Sequence, residues 1–99
     1  MSSPLKGIKI LDLTHMLAGP YGTMVLADLG AEIIKIEPPL KGEITRNLLK
    51  NDPDYSVDGV GAYHLTLGRN KKSLTLDLKS DPGKNIFYQL VKKVDVVID

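Results

Sequence analysis

The chain contains no cysteine in its 99 residues. That absence excludes a disulfide, a thiol nucleophile and a cysteine metal site. An excess of charge of one sign is also missing, because 13 Lys and Arg face 12 Asp and Glu. Binding to nucleic acid or to an anionic membrane needs a basic excess on one face, so neither partner is expected. Arg69, Lys71 and Lys72 still form a local basic cluster able to meet an anion. The two histidines, His15 and His64, lie far apart without ligand spacing, and no metal site is expected. No apolar run reaches the length of a membrane span, and the first residues lack the apolar core of a signal peptide. A cytoplasmic location is the expectation.

What is present is ordinary for a globular chain: 42% apolar and 25% charged residues. The length allows one domain with a modest core. Residues 8–13, with Ile8, Ile10, Leu11 and Leu13, read as a buried parallel strand. A polar, glycine-containing turn follows. Pro20 then suits the first turn of a helix over residues 20–29, with Val25, Leu26 and Leu29 on its apolar face. Gly30 fits the left-handed residue that ends it. Residues 32–36 make a second strand with Ile33, Ile34 and Ile36, which completes a βαβ unit.

Pro38 and Pro39 end that strand. Residues 43–50 allow a short helix, and residues 51–59 form an exposed, turn-rich tract. So long a connection in a small domain is functional, mobile or a plain surface excursion. Leu74, Leu76 and Leu78 alternate with polar residues over a strand at 73–78. Ser80 or Asp81 then caps a helix with Pro82 in its first turn, running to about residue 93. Ile86, Phe87, Leu90 and Val91 make its buried stripe, and Lys92 and Lys93 suit its last turn. A fourth strand at 95–98 closes a second βαβ unit. Two such units in series predict an α/β fold with a Rossmann-like, open parallel sheet. The loop after that last strand would help build the ligand crevice, so the chain reads as the front part of a longer protein.

In such sheets ligands bind at the carboxyl ends of the strands. Glu37 sits at about the right distance after Gly19 for a ribose-binding carboxylate, but Gly19-Pro20-Tyr21-Gly22 is not a dinucleotide fingerprint. His15 is a candidate general base or hydrogen-bond donor in the strand-end loop, or a structural residue. Asp12 either ties down that loop or takes part in chemistry. Asn70, Lys71 and Lys72 precede the third strand and read as a solvated basic turn. Lys79 falls at the carboxyl end of that strand, where a cation can meet an anionic ligand.

Taken together, these residues resemble a family. Leu11-Asp12 and Ala18-Gly19-Pro20, the run from Leu26 to Glu37, Gly42-Glu43-Ile44-Thr45-Arg46, the run from Asn70 to Lys79 and the run from Lys93 to Ile98 are similar to the amino terminus of the class III coenzyme A-transferases. That family includes formyl-CoA and carnitine CoA-transferases and α-methylacyl-CoA racemases. The resemblance covers the chain from Leu5 onward and rests on five motifs in order. It implies a Rossmann-like large domain, of which residues 1–99 are the amino-terminal part, and an interlocked homodimer. It implies coenzyme A, as an acyl-CoA, and a carboxylic acid as substrates. His15, Met16, Leu17 and Ala18 are expected to contact CoA, with Leu76, Asp77, Leu78 and Lys79 lining its adenine and phosphate end. Some transferases carry an arginine after the residue matching Glu37, and Pro38 removes that contact here. Glu43 replaces a common aspartate. The transferases' nucleophilic aspartate lies downstream, and Asp12, Asp28, Asp77 and Asp95 do not occupy its place. The expectation is the CoA-binding part of a CoA-transferase, inactive alone. A racemase of the same family and a non-catalytic nucleotide-binding module are the alternatives.

Overall fold

A computed structural model describes residues 3–99. In chain order the elements are β1 (Lys9–Asp12), α1 (Ala18–Asp28), β2 (Glu32–Glu37), a 3-10 turn (Ile44–Arg46), β3 (Ser56–Val57), β4 (Val60–Gly61), α2 (Ala62–Leu67), β5 (Lys71–Thr75), α3 (Asp81–Val91) and β6 (Val96–Ile98). Four strands form one parallel sheet in the order β5-β2-β1-β6. The chain builds outward from β1 to β2 and β5, then crosses back to add β6 on the other side. That order confirms the α/β parallel sheet expected from the sequence.

The two faces of the sheet differ. Side chains alternate along a strand, and paired residues of parallel strands share a face. One face is apolar: Leu11, Ile36 and Leu76 are buried, with Phe87, Leu90 and Val94 packed against them. The other face starts as a core of Ile10, Ile33, Ala27 and Ala31. Towards the carboxyl ends of β1 and β2 it turns polar, because Asp12, Lys35 and Glu37 continue the same alternation, and Lys71 and Ser73 of β5 share that face. Lys35 and Lys71 meet Asp12 on this face, and Arg46 from the segment between β2 and β5 meets Glu37.

The start of α3 and the end of α1 obey local chemistry. Ser80 caps α3 by accepting the Gly83 N–H at 3.0 Å, with proline in the first turn. At the end of α1, Gly30 adopts φ +106°, which only glycine takes at no steric cost.

Several boundaries and faces differ from the sequence reading. The inward face of α1 is Pro20, Thr23, Met24 and Ala27, whereas Val25 and Leu29 are exposed. Thr23 turns inward because its hydroxyl donates to Asp12 at 2.6 Å. On α3, Phe87 and Leu90 face the core, while Ile86 and Val91 are exposed. The third strand of the sheet starts at Lys71 and ends at Thr75, so Leu76 to Lys79 lie in the loop beyond it. The helix expected at 43–50 is a single 3-10 turn. Within 51–67 there are instead a β3–β4 hairpin and α2. The hairpin turns at Asp58 (φ 51°) and Gly59 (φ 78°), the two left-handed residues that a tight hairpin turn requires. Among the described residues, no helix is long and apolar enough to cross a membrane.

Candidate functional site

A cleft of about 440 Å³ opens over the carboxyl ends of β1, β2 and β5. His15 and Leu13 come from the loop after β1, Pro38 and Pro39 follow β2, and Leu76, Asp77, Leu78 and Lys79 follow β5. Five of the eight residues expected to hold CoA therefore share one cavity. Met16, Leu17 and Ala18 are exposed beside it and do not line it. The walls are largely apolar, with Ile36 at the base and Lys79 as the one lysine.

The loop after β1 is held by two buried carboxylates. Asp12 Oδ1 accepts the Thr14 N–H at 2.8 Å and the Thr14 hydroxyl, while Oδ2 accepts from Thr23. Lys35 Nζ lies 3.7 Å and Lys71 Nζ 3.3 Å from Oδ2. Burial opposes the charge of Asp12, but the threonine hydrogen bonds and Lys35 outweigh it and hold its pKa below the usual carboxylate value. Asp12 is thus a structural tie for the loop. Lys35 Nζ also donates to the Thr14 carbonyl at 2.7 Å. Lys71 Nζ donates to the Pro20 carbonyl at 2.9 Å.

Glu43 is the second tie, and the sequence reading gave it no role. Its Oε1 accepts the Met16 N–H at 2.8 Å. Its Oε2 accepts the Thr45 N–H at 2.9 Å and the Thr45 hydroxyl, and lies 3.4 Å from His64 Nδ1. Burial would raise its pKa, but these hydrogen bonds keep it below normal. Beneath it, Glu37 accepts the Glu43 N–H at 2.7 Å, both arms of Arg46 at 2.6 and 2.8 Å, and the Ser73 hydroxyl at 2.7 Å. Burial opposes that charge too, yet Arg46, Ser73 and the Glu43 N–H lower its pKa to about 2. His64, far from His15 in sequence, meets the same Glu43 from the opposite oxygen. Its burial, with Arg46 nearby, pushes its pKa down against the pull of Glu43.

His15 Nδ1 accepts the Ile44 N–H at 3.3 Å. A neutral ring bonded this way carries its proton on Nε2, which leaves that nitrogen as a donor. The basic turn is solvated except at Lys71: the side chains of Arg69 and Lys72 are 58% and 73% exposed, that of Lys71 3%. Arg69 pairs with Asp28, Lys71 with Asp12 and Lys72 with Glu32. Lys71 is buried because β5 begins at that residue and turns it onto the polar face of the sheet. The other aspartates also serve the backbone: Asp77 accepts the Lys79 N–H at 3.0 Å, and Asp95 the Lys9 N–H at 2.8 Å.

Fold and cleft define an open α/β protein with its cavity at the carboxyl edge of a parallel sheet. A family model described as CoA-transferase family III matches residues 5–99, and the chain belongs to that family. It is 43% identical over 99 residues to a formyl-CoA:oxalate CoA-transferase of Bradyrhizobium sp. (strain ORS 278), covering 100% of this chain and 22% of that protein. It is 45% identical over 96 residues to the succinyl-CoA:glutarate CoA-transferase of Homo sapiens, covering 97% of this chain and 21% of that one. The crystal structure of a CAIB/BAIF family protein from Brucella suis superposes with a TM-score of 0.85 at 37% identity, over 98% of this chain and 25% of that one. The chain thus spans about a fifth of the length of the curated relatives that it matches.

Proposed function

We propose that this chain is the CoA-binding amino-terminal part of a CoA-transferase that moves CoA from an acyl-CoA to a carboxylic acid. The observation that carries this reading is the convergence of the loops after β1 and β5 on one cleft at the sheet's carboxyl edge. His15, Leu76, Asp77, Leu78 and Lys79 bind the coenzyme in that cleft, and Met16, Leu17 and Ala18 contact it from the rim through backbone groups. The apolar walls take the base, Lys79 meets a phosphate, and His15 donates from Nε2. The parent enzyme works as a homodimer in the cytoplasm. Transfer through an acyl-enzyme needs a carboxylate nucleophile at the thioester carbonyl. Asp12, Glu37 and Glu43 are buried and hydrogen-bonded, and Asp77 at the cleft holds the turn to Lys79 and does not stand where the family's nucleophile does, so none of them serves and the chain alone is inactive. The curated relatives named as transferases support transfer over racemisation.

Calorimetric titration of CoA against NAD tests the coenzyme, with saturable CoA binding and none for NAD expected. A preference for NAD, or CoA transfer catalysed by the 99-residue chain itself, would sink this reading.

A further inference from the structure

The cleft over β1, β2 and β5 does not end at His15. A second cavity of about 640 Å³ continues from it, and His15, Pro38 and Pro39 line both. Beside His15, its polar side chains are Lys41, Asn47 and Lys50, and no carboxylate lines it. We propose that Lys41 and Lys50 form a phosphate subsite for the nucleotide end of CoA in this second cavity. The inference rests on the CoA reading above and extends it to residues outside the two strand-end loops.

The two lysines stand apart from the other cations around the polar face. Lys35, Arg46, Arg69, Lys71 and Lys72 each lie within ion-pair distance of a carboxylate. Among the described residues, no acidic group pairs with Lys41 or Lys50. Their charge is therefore available to a ligand.

The site is also built. Lys41 sits between two left-handed residues, Leu40 (φ 69°) and Gly42 (φ 69°). Its N–H donates to the Pro39 carbonyl at 2.8 Å, and its own carbonyl accepts Asn47 Nδ2 at 2.7 Å. The other end of the same amide, Asn47 Oδ1, accepts Lys50 Nζ at 3.3 Å. One side chain thus fixes the backbone of the first lysine and the ammonium of the second. Pro38, Pro39 and Ile44 supply an apolar wall beside these charges, which strengthens their field in the cavity. Two ammonium groups match the charge of a phosphate monoester or diphosphate better than that of a single carboxylate. A CoA lying in the first cleft reaches them, because the two cavities share three walls.

The test is direct titration of an enzyme of full family length carrying this chain with CoA, dephospho-CoA and pantetheine. The variants are Lys41→Ala, Lys50→Ala and the double variant. Each single change is expected to weaken CoA about tenfold and to flatten the salt dependence of binding. Pantetheine, which lacks the nucleotide, keeps its affinity. An effect confined to CoA places the 3′-phosphate at the lysines. An equal effect on dephospho-CoA places the diphosphate there. A double variant that binds CoA as the parent does overturns the subsite and leaves the CoA reading standing. An equal loss for pantetheine also overturns it, since the lysines would then only shape the cleft. Failure of the unmodified enzyme to bind CoA removes both readings.

Discussion

Glu43 Oε1 accepts the backbone N–H of Met16 across 2.8 Å, and so ties the loop after β1 to the turn after β2. Met16 has φ 72°, a left-handed conformation that costs a non-glycine residue about 1 kcal/mol or more. A single hydrogen bond to a buried carboxylate holds it there. Glu37 in turn accepts the N–H of Glu43, so two carboxylates stack under the rim of the cleft. The Gly42–Arg46 motif, which marks the family in the sequence, is in the structure the support of the loop after β1.

Replacing Glu43 by glutamine tests that support. One oxygen becomes an NH₂ group, so the N–H of either Met16 or Thr45 then faces a donor. A buried donor left without an acceptor costs about 1–3 kcal/mol. The expected result is lower stability in urea together with about tenfold weaker CoA binding in the enzyme of full length. Because Glu43 acts through the loop, KM for acyl-CoA is expected to rise more than kcat falls. A variant that loses stability and keeps its CoA affinity would show that Glu43 is only a fold residue.

Glu37 makes acid stability a second test. Its folded pKa is about 2, below the 4.5 of an unconstrained glutamate. A depressed carboxylate adds stability that is complete above the unfolded pKa and is lost as pH falls through the folded value. The depression is worth about 3 kcal/mol, lost between about pH 5 and pH 2. The expected observation is a Tm that falls steeply across that window. Glu37→Gln should be less stable at pH 7 and show a flatter fall in acid. An equally steep acid transition in the variant would assign the loss to other carboxylates.

Much of the frame was legible because it follows simple periods. The isoleucines of β2, the capped start of α3 and Gly30 each gave a local signal that the packing did not override. The strand-end loops, read as a ligand edge, were legible as the walls of one cleft for the same reason. Lys71 was not, since a lysine beside another lysine reads as solvent-facing, and only the register of β5 against β2 turns it inward. Glu43 and His64 were illegible for a related cause: their partners lie 27 and 21 residues away in sequence. The hairpin did leave a signal, Asp58-Gly59 between valines, which the surrounding turn residues obscured.

The Asp12 cluster predicts a coupling. Asp12→Asn removes the charge that faces both Lys35 and Lys71, and leaves two buried ammonium groups without a counterion. Breaking a buried pair in this way costs about 3–5 kcal/mol. Lys71 already has its pKa pushed down by burial, against the pull of Asp12, so it is the group most exposed to the loss. Combining Asp12→Asn with Lys71→Met should recover part of the cost, with a coupling of about 1–3 kcal/mol in a double-mutant cycle. Strict additivity in urea unfolding would mean that the two side chains do not interact.

Gly83 sets the position of the loop that carries Asp77, Leu78 and Lys79. A Cβ at Gly83 would lie 1.8 Å from the Asp77 carbonyl oxygen, so the first turn of α3 packs directly on that backbone. Gly83→Ala must push the two apart. Overpacking of this kind costs about 1–3 kcal/mol. The displaced segment forms one wall of the cleft, so CoA affinity should fall with stability. Gly22→Ala is the control, because a Cβ there meets nothing within 4 Å. It also sits inside α1, where alanine favours the helix by about 1 kcal/mol over glycine. Gly22→Ala should therefore leave CoA binding unchanged and raise Tm slightly. If Gly83→Ala binds CoA as tightly as the Gly22 variant, the loop after β5 does not form the wall of the coenzyme site, and Lys79 loses its assigned role.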